Sequence, residues 1–262
     1  METQIKLGII AGIFAVLAAI TQIILPTIID TKDTIDSSHP VVVNVTPVVT
    51  YKGIEDETLA VAMQNTNSIK KLIFEDYFKD EDSGWKTYPN DDDCERYYDD
   101  GMFNFDIKSD VEDHNYNSLL EDFTLPRNFI VEFDAIVKRD LQDQRVGIFI
   151  RRIDHDNKYY FCITSDGDYS FKKYVNGDIK RLIPWKNSFM INKGIATNNI
   201  KIKCEEDKFT FYINNEEVDS YTDTTFPKGG VALVAGNGDD TSRKRKLAFD
   251  NLKIWLLDIN EI

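Results

Sequence analysis

The stretch that decides the fold is FIVEFDAIV, Phe129 to Val137. Phe129, Val131, Phe133, Ala135 and Val137 recur at every second position, which is the period of a strand and not of a helix. Glu132 and Asp134 fall on the opposite side, so one face is apolar and the other polar. Working outward, Met102 to Ile107 repeats the pattern with Phe103, Phe105 and Ile107 on one face. The run 73–78 reads as an opening strand. Further short strands are expected at 146–150, 159–163, 169–175, 200–204, 209–213, 231–235 and 247–255. Asp166-Gly167 and Asn176-Gly177 sit between such runs and supply the positive φ that tight hairpins need. Many strands at roughly ten-residue spacing argue for a sandwich or a barrel. No helical period of useful length follows Ile69.

The N-terminus is different. Leu7 to Ile29 is 23 residues without a charge, LGIIAGIFAVLAAITQIILPTII. As a helix it would be about 35 Å long, enough to cross the hydrocarbon core. It is apolar all round and not striped, which sets it apart from a surface helix. Gly8 and Gly12 have the spacing that lets two helices pack closely. A cleaved signal peptide ending near Val16-x-Ala18 is the alternative, but the apolar run continues well past that site. A pilin-like assembly helix is a further alternative, although its glutamate is missing from the run. Lys6 precedes the segment, and Asp30, Asp33 and Asp36 outweigh Lys32 after it, so the N-terminus is expected in the cytoplasm and the C-terminal part outside. Residues 31–68 read as a semi-extended stalk, with Pro40 and Pro47 among β-branched neighbours. The expected division is therefore a membrane anchor over 1–30, a linker over 31–68 and a β-sandwich over 69–262.

Charge is uneven along the chain. The net charge is −14, which argues against nucleic acid as a partner. From Glu75 to Asp113 fifteen acidic and four basic residues give −11 of it. This stretch reads as solvated loops between strands, or as a site for a hard cation. It has no EF-hand spacing: counting from Asp91, the sixth position is Arg96 where glycine is needed. Arg243-Lys244-Arg245-Lys246 reads as a loop or hairpin tip that offsets the acidic stretch. The three cysteines, Cys94, Cys162 and Cys204, rule out a disulfide scaffold. Cys162 and Cys204 are expected as buried thiols, with a bridge from Cys94 to either left open. His39, His114 and His155 have no metal-binding spacing.

Several segments in order resemble the concanavalin A-like lectin/glucanase superfamily, closest to its laminin-G-like and 3-keto-disaccharide hydrolase-like domains. They are Gly147-Ile148-Phe149-Ile150-Arg151, Tyr159-x-Phe161-x-Ile163, Asp166-Gly167-x-Tyr169 and Trp185-x-x-Ser188. Asn198-x-Ile200-x-Ile202, Phe211-Tyr212-Ile213-Asn214-Asn215 and Phe249-Asp250-Asn251-Leu252 complete the set. Asn215 stands where the family's hairpin has glycine. The likeness runs from about Phe74 to Trp255 and implies a jelly-roll of two curved antiparallel sheets. It implies little about function, because the fold hosts many. Relatives often hold an ion where the first and last strands meet, so the resemblance points to Asp76 and Asp250 as ligands of a structural calcium ion.

Glycoside hydrolysis needs two carboxylates across the scissile bond. The superfamily's glucanases carry Glu-x-Asp-x-x-Glu on one strand. Here Glu132-Phe133-Asp134 begins that motif, but Val137 and Lys138 stand where the second glutamate belongs. Glu132 and Asp134 therefore read as outward polar residues, and no catalytic residue is assigned. Sugar binding needs aromatic faces and polar side chains. The candidates are Tyr97, Tyr98, Arg152, Tyr160 and Trp185. Tyr160 lies opposite the core-facing Tyr159 and Phe161, and one of Arg151 and Arg152 must leave the core. Trp85 and Trp255 read as core, and Trp185 as either core or platform.

The expectation is an anchored, extracytoplasmic module that recognises a glycan or another surface ligand without catalysis. A structural or assembly subunit, including a homo-oligomer, is the alternative reading, and a glycoside hydrolase-like enzyme the third.

Overall fold

The computed structural model describes residues 68–108, 114–139, 142–238 and 244–259. The expected anchor over Leu7–Ile29 and all of the linker except Ser68 lie outside the described residues. Among the described residues no helix is long and apolar enough to cross a membrane.

Fourteen strands are described. In chain order they are β1 (Ser68–Asp76), β2 (Cys94–Asp99), β3 (Met102–Ile107), β4 (Asn115–Leu119), β5 (Phe129–Val137), β6 (Arg145–Arg152) and β7 (Lys158–Thr164). There follow β8 (Asp168–Val175), β9 (Asp178–Asn187), β10 (Thr197–Glu205), β11 (Lys208–Ile213), β12 (Glu216–Thr222), β13 (Gly230–Gly236) and β14 (Arg245–Ile259). They form two antiparallel sheets. The first has eight strands in the order β12-β11-β10-β5-β14-β3-β2, with β1 also paired to β14. The second has six in the order β4-β13-β6-β7-β8-β9. The expected all-β sandwich is the observed architecture.

The core is the apolar parity of each strand. On β5, Phe129, Val131, Phe133, Ala135 and Val137 are buried, while Glu132 and Asp134 are half-buried on the outer side. Rings bridge the two sheets. Phe161 of β7 stacks on Phe211 of β11 with centroids 4.5 Å apart, and Phe171 of β8 packs on Phe209 and Phe211 at 5.2 and 4.7 Å. Removing one such buried ring costs about 3–5 kcal/mol.

Turn chemistry follows the sequence. Asn176 and Gly177 both have positive φ, 52° and 86°, and close the β8–β9 hairpin. Asn214 and Asn215 do the same for β11–β12 at 52° and 72°. Asparagine tolerates that conformation better than other side chains, which is why Asn215 can stand in for glycine. Beyond β12, Asp223 ties the following loop to the six-stranded sheet. It accepts hydrogen bonds from Tyr159 Oη and Lys173 Nζ, each at 2.6 Å. Burial alone would raise the Asp223 carboxyl, but bonds from Lys173, Thr225 and Tyr159 outweigh it and hold it at about 2.

Three expectations are corrected, and one open question is answered. Besides the strand expected over Met102–Ile107, the acidic stretch contains β2, where loop was expected, and its Cys94 is buried. The basic run is not a loop tip throughout. Arg245 and Lys246 open β14, Arg245 is fully buried, and Lys246 reaches Asp106 of β3 at 2.6 Å. Trp255 is not core: it lies half-buried beneath the Lys70 ammonium, 3.7 Å from the ring centroid. The open disulfide question resolves to three free, buried thiols, Cys94, Cys162 and Cys204.

Candidate functional site

The site grows from the outward parity of the six-stranded sheet. Tyr159, Phe161 and Ile163 of β7 enter the core, so Tyr160 and Cys162 point the other way. Outward is not solvent here. Tyr160 and Cys162 are fully buried in a second, smaller apolar layer with Phe149, Ala232 and Val234, roofed by Leu119, Tyr174 and Trp185. Small residues on β13 and Gly147 on β6 let this layer lie close to the sheet.

Cations stand on this layer. Arg145 is 7% exposed, and its guanidinium carbon lies 5.5 Å from the Trp185 ring centroid. Lys172 is 6% exposed, with its ammonium 4.9 Å from the Tyr160 ring and 5.9 Å from Trp185. Lys158 sits 4.8 Å over Phe149 and 4.4 Å over Tyr174. Each position is a cation–π contact of the kind worth about 0.5–2 kcal/mol. Asp143 pairs with Arg145 at 3.0 Å.

Between these groups is a recess of about 130 Å³. Its polar and aromatic walls are Asn115, Arg145, Lys172, Tyr174, Arg181 and Trp185. Tyr160 Oη donates to Asn115 Oδ1 at 3.0 Å, which fixes the amide's orientation. Arg181 is exposed at the rim. Pro184 is accommodated in β9 because this is an edge strand, where a missing N–H is tolerated.

The structure treats the sequence-derived candidates unequally. Tyr160 and Trp185 come together on this face, Tyr160 as floor and Trp185 as half-buried wall. Tyr160 therefore offers no exposed ring, which corrects its expected role as a platform. Arg152 lies at the far end of β6, near Lys158. Arg151, at φ 48°, turns into the core instead. Tyr97 and Tyr98 belong to β2 in the other sheet. Tyr98 is structural: its ring packs edge-on to Phe103 at 4.9 Å and its hydroxyl pairs with Ser83 at 2.9 Å. Tyr97 is half-buried beside Asp106; burial, then the Asp106 charge, push its hydroxyl up to about 12. Sequence reasoning missed Asn115, Arg145, Lys172, Tyr174 and Arg181. The available signal was parity: Lys172 and Tyr174 alternate with the core residue Phe171.

Asp76 and Asp250, the expected calcium ligands, lie close enough for their charges to interact, and each also accepts protein hydrogen bonds. Asp76 Oδ2 accepts from Trp85 Nε1 at 2.9 Å and Oδ1 from the Phe78 amide at 2.6 Å. Asp250 Oδ1 accepts from the Asn251 amide at 2.6 Å. Burial raises the carboxyls of both Asp76 and Asp250, and repulsion from Asp134 and Asp76 adds to the shift at Asp250. Among the described residues no group of three His, Cys, Asp or Glu side chains is placed to hold a metal ion.

The strand face that would carry glucanase chemistry is the outer side of β5. Glu132 pairs in register with Lys201 and Lys253. Asp134 accepts from Asn199 at 3.0 Å and Asn251 at 2.8 Å. Asp134 is thus held by two amides, and Glu132 lies between two lysine positions.

No family model and no curated protein matches the chain. Solved structures do share its fold. One is the carbohydrate-binding module CBM66 from Bacillus subtilis, 17% identical over 65% of this chain and 94% of that one, with a TM-score of 0.51. Another is a protein of unknown function with galectin-like fold from Bacillus subtilis, 9% identical over 72% and 98%, with a TM-score of 0.55. A third is an endo-β-1,3-glucanase from Pyrococcus furiosus, 10% identical over 72% and 95%, with a TM-score of 0.54. At these identities the likeness establishes the fold alone, a two-sheet antiparallel β-sandwich of the jelly-roll kind.

Proposed function

We propose that the chain is a glycan-recognition module that binds without catalysis through the outer face of its six-stranded sheet. The observation that carries this reading is the recess bounded by Trp185 and Tyr174, with cations and the Asn115 amide beside them. Sugar rings stack on aromatic faces, and polar groups around them read hydroxyls and substituents. The fold neighbours, a carbohydrate-binding module and a glucanase among them, are consistent with it. The Glu132 and Asp134 environment favours binding over hydrolysis. If Leu7–Ile29 anchors the chain as its sequence suggests, the module is displayed outside the membrane.

The test is a glycan array probed with the full chain, followed by titration of the bound glycans with the wild type and Trp185→Ala. Binding to a defined glycan class is expected, at least tenfold weaker in the variant, or about 1.4 kcal/mol, with no new reducing ends released. Release of reducing ends would move the chain to the hydrolases. A stable oligomer that binds no glycan would favour the assembly-subunit reading.

A further inference from the structure

Three large apolar side chains face water on the short connection between β9 and β10. Phe189 is 95% exposed, Ile195 65% and Met190 44%. A single exposed apolar residue is ordinary, but several on one element mark a contact surface.

The connection is firmly held. Ile191 is buried in the core beneath it. The Ser188 and Gly194 amides donate to the Gly167 and Ser165 carbonyls at 2.9 and 3.0 Å, and the Ala196 carbonyl accepts from the Val137 amide at 2.9 Å. The buried Asn198 side chain clamps Asn192, accepting from its amide at 2.8 Å and donating to its carbonyl at 2.9 Å. Asn214 Nδ2 donates to the Met190 carbonyl at 2.7 Å. The backbone is fixed while its apolar side chains are turned out, and a contact ordered in advance loses less entropy on binding.

Charge narrows the partner. From Ile179 to Cys204 there are six Lys or Arg and no Asp or Glu, on a chain of net charge −14. Lys186 and Lys193 flank the tip and are exposed. Of the carboxylates on adjoining elements, Asp219 pairs with Lys186 at 2.6 Å. Asp166 and Asp168 accept from the Asp143 amide and from Asn187, and Glu216 is exposed beyond the Asn214-Asn215 turn. An aromatic and aliphatic tip between lysines suits a bilayer surface, with apolar groups at the acyl boundary and ammonium groups at the phosphates.

Reach is sufficient. Ser68 pairs with Ile259 beyond the Phe129 end of β5, whereas the tip abuts Val137 at the other end. Fully extended, residues 31–67 cover about 120 Å at ~3.3 Å each. If Leu7–Ile29 is held in a membrane, either end of the sandwich can return to it.

We infer that the Phe189 tip docks on a lipid bilayer bearing anionic headgroups, with Phe189, Met190 and Ile195 entering the interface and Lys186 and Lys193 meeting the phosphates. This contact is independent of the glycan-binding reading.

Vesicle binding of the full chain does not test it, because Leu7–Ile29 alone can supply that binding. The test is therefore local. The three native thiols are buried, so Phe189→Cys alone takes an environment-sensitive nitrobenzoxadiazole label. Lys228→Cys, exposed at the opposite end of the sandwich, is the control. Each labelled full chain is reconstituted in phosphatidylcholine vesicles with and without phosphatidylglycerol, with nitroxide-bearing acyl chains as quencher. With phosphatidylglycerol, the label at 189 is expected to shift to the blue and to be quenched at least threefold more than the label at 228, less so at raised salt. Lys193→Gln should lower that quenching at least twofold and leave the melting temperature unchanged. A label at 189 that stays in water overturns the inference. Equal quenching at 189 and 228, or at 189 with and without phosphatidylglycerol, overturns it too. A blue shift without quenching also overturns it, by placing a protein surface, such as a second copy of the chain, on the tip.

Discussion

Arg151→Met is expected to lower the stability of the sandwich by about 3–5 kcal/mol, although the residue touches no ligand. Arg151 is fully buried. Its Nη1 donates to the Phe226 carbonyl at 2.9 Å and its Nη2 to the Arg127 carbonyl at 2.7 Å. Nη2 also reaches the Glu206 carbonyl and lies 2.9 Å from Cys204 Sγ. The guanidinium carbon stands 4.9 Å from the Phe209 ring and 5.9 Å from Phe129. One planar fork thus gathers three separate loop segments at one end of the sandwich. A guanidinium does not deprotonate in a protein, so burial cannot neutralise it, and carbonyl dipoles and ring faces must solvate the charge. Methionine keeps much of the volume but leaves three carbonyls without this donor, each worth about 1–3 kcal/mol when buried and unpaired. Lysine keeps the charge but not the fork, so Arg151→Lys should recover only part of the loss. Urea unfolding of both variants measures this. A midpoint for Arg151→Met within about 1 kcal/mol of wild type would sink the account of the fork.

Gly147→Ala should be at least as damaging, at about 3 kcal/mol or more, with failure to fold as the extreme. The reason is space and not backbone angle. A Cβ on Gly147 would stand 2.1 Å from the Phe161 carbonyl oxygen and 2.7 Å from Cys162 Cα. Both atoms are backbone of the adjacent strand β7, which cannot move without opening the β6–β7 ladder. That ladder positions Arg145 on one strand and Tyr160 on the other, so damage there reaches the recess. Soluble yield and thermal unfolding of Gly147→Ala read the effect. A variant that melts within about 2–4 °C of wild type, the equivalent of about 1 kcal/mol for a domain of this size, would show that the strands yield more easily than the geometry implies.

These two residues mark where the sequence stops being legible. The period of FIVEFDAIV places β5 with its bounds, and the alternation of Tyr159 to Ile163 puts the right residues on each side of β7. Parity is a local property, and it holds wherever the strand is regular. At Arg151 the φ of 48° breaks it, next to a register shift between Gly230 and Ala232, so an arginine enters the core where alternation sends it out. Strand β2 was hidden because its alternation is interrupted by charge, and charge reads as loop.

The site was half legible for a related reason. Trp185 and Tyr160 could be marked as aromatic candidates on sheet faces. That Tyr160 would be roofed, and that Arg145, Lys172 and Arg181 would converge there, depends on the order β6-β7-β8-β9 and on the reach of side chains across it. Neither is written in any single strand. Tyr97 and Tyr98 show the reverse error: a pair of tyrosines near acidic residues resembles a binding edge, but Tyr98 is held inward by Phe103 and Ser83.

The central claim is that ligand meets the outer face of the six-stranded sheet. Hydrogen exchange of the full chain, with and without the glycan the array selects, tests it most directly. The account predicts slowed exchange in β8 and β9, together with the Arg145 end of β6. Protection confined to β5, β10 and β11, around Glu132, Lys201 and Tyr212 on the eight-stranded sheet, would contradict it.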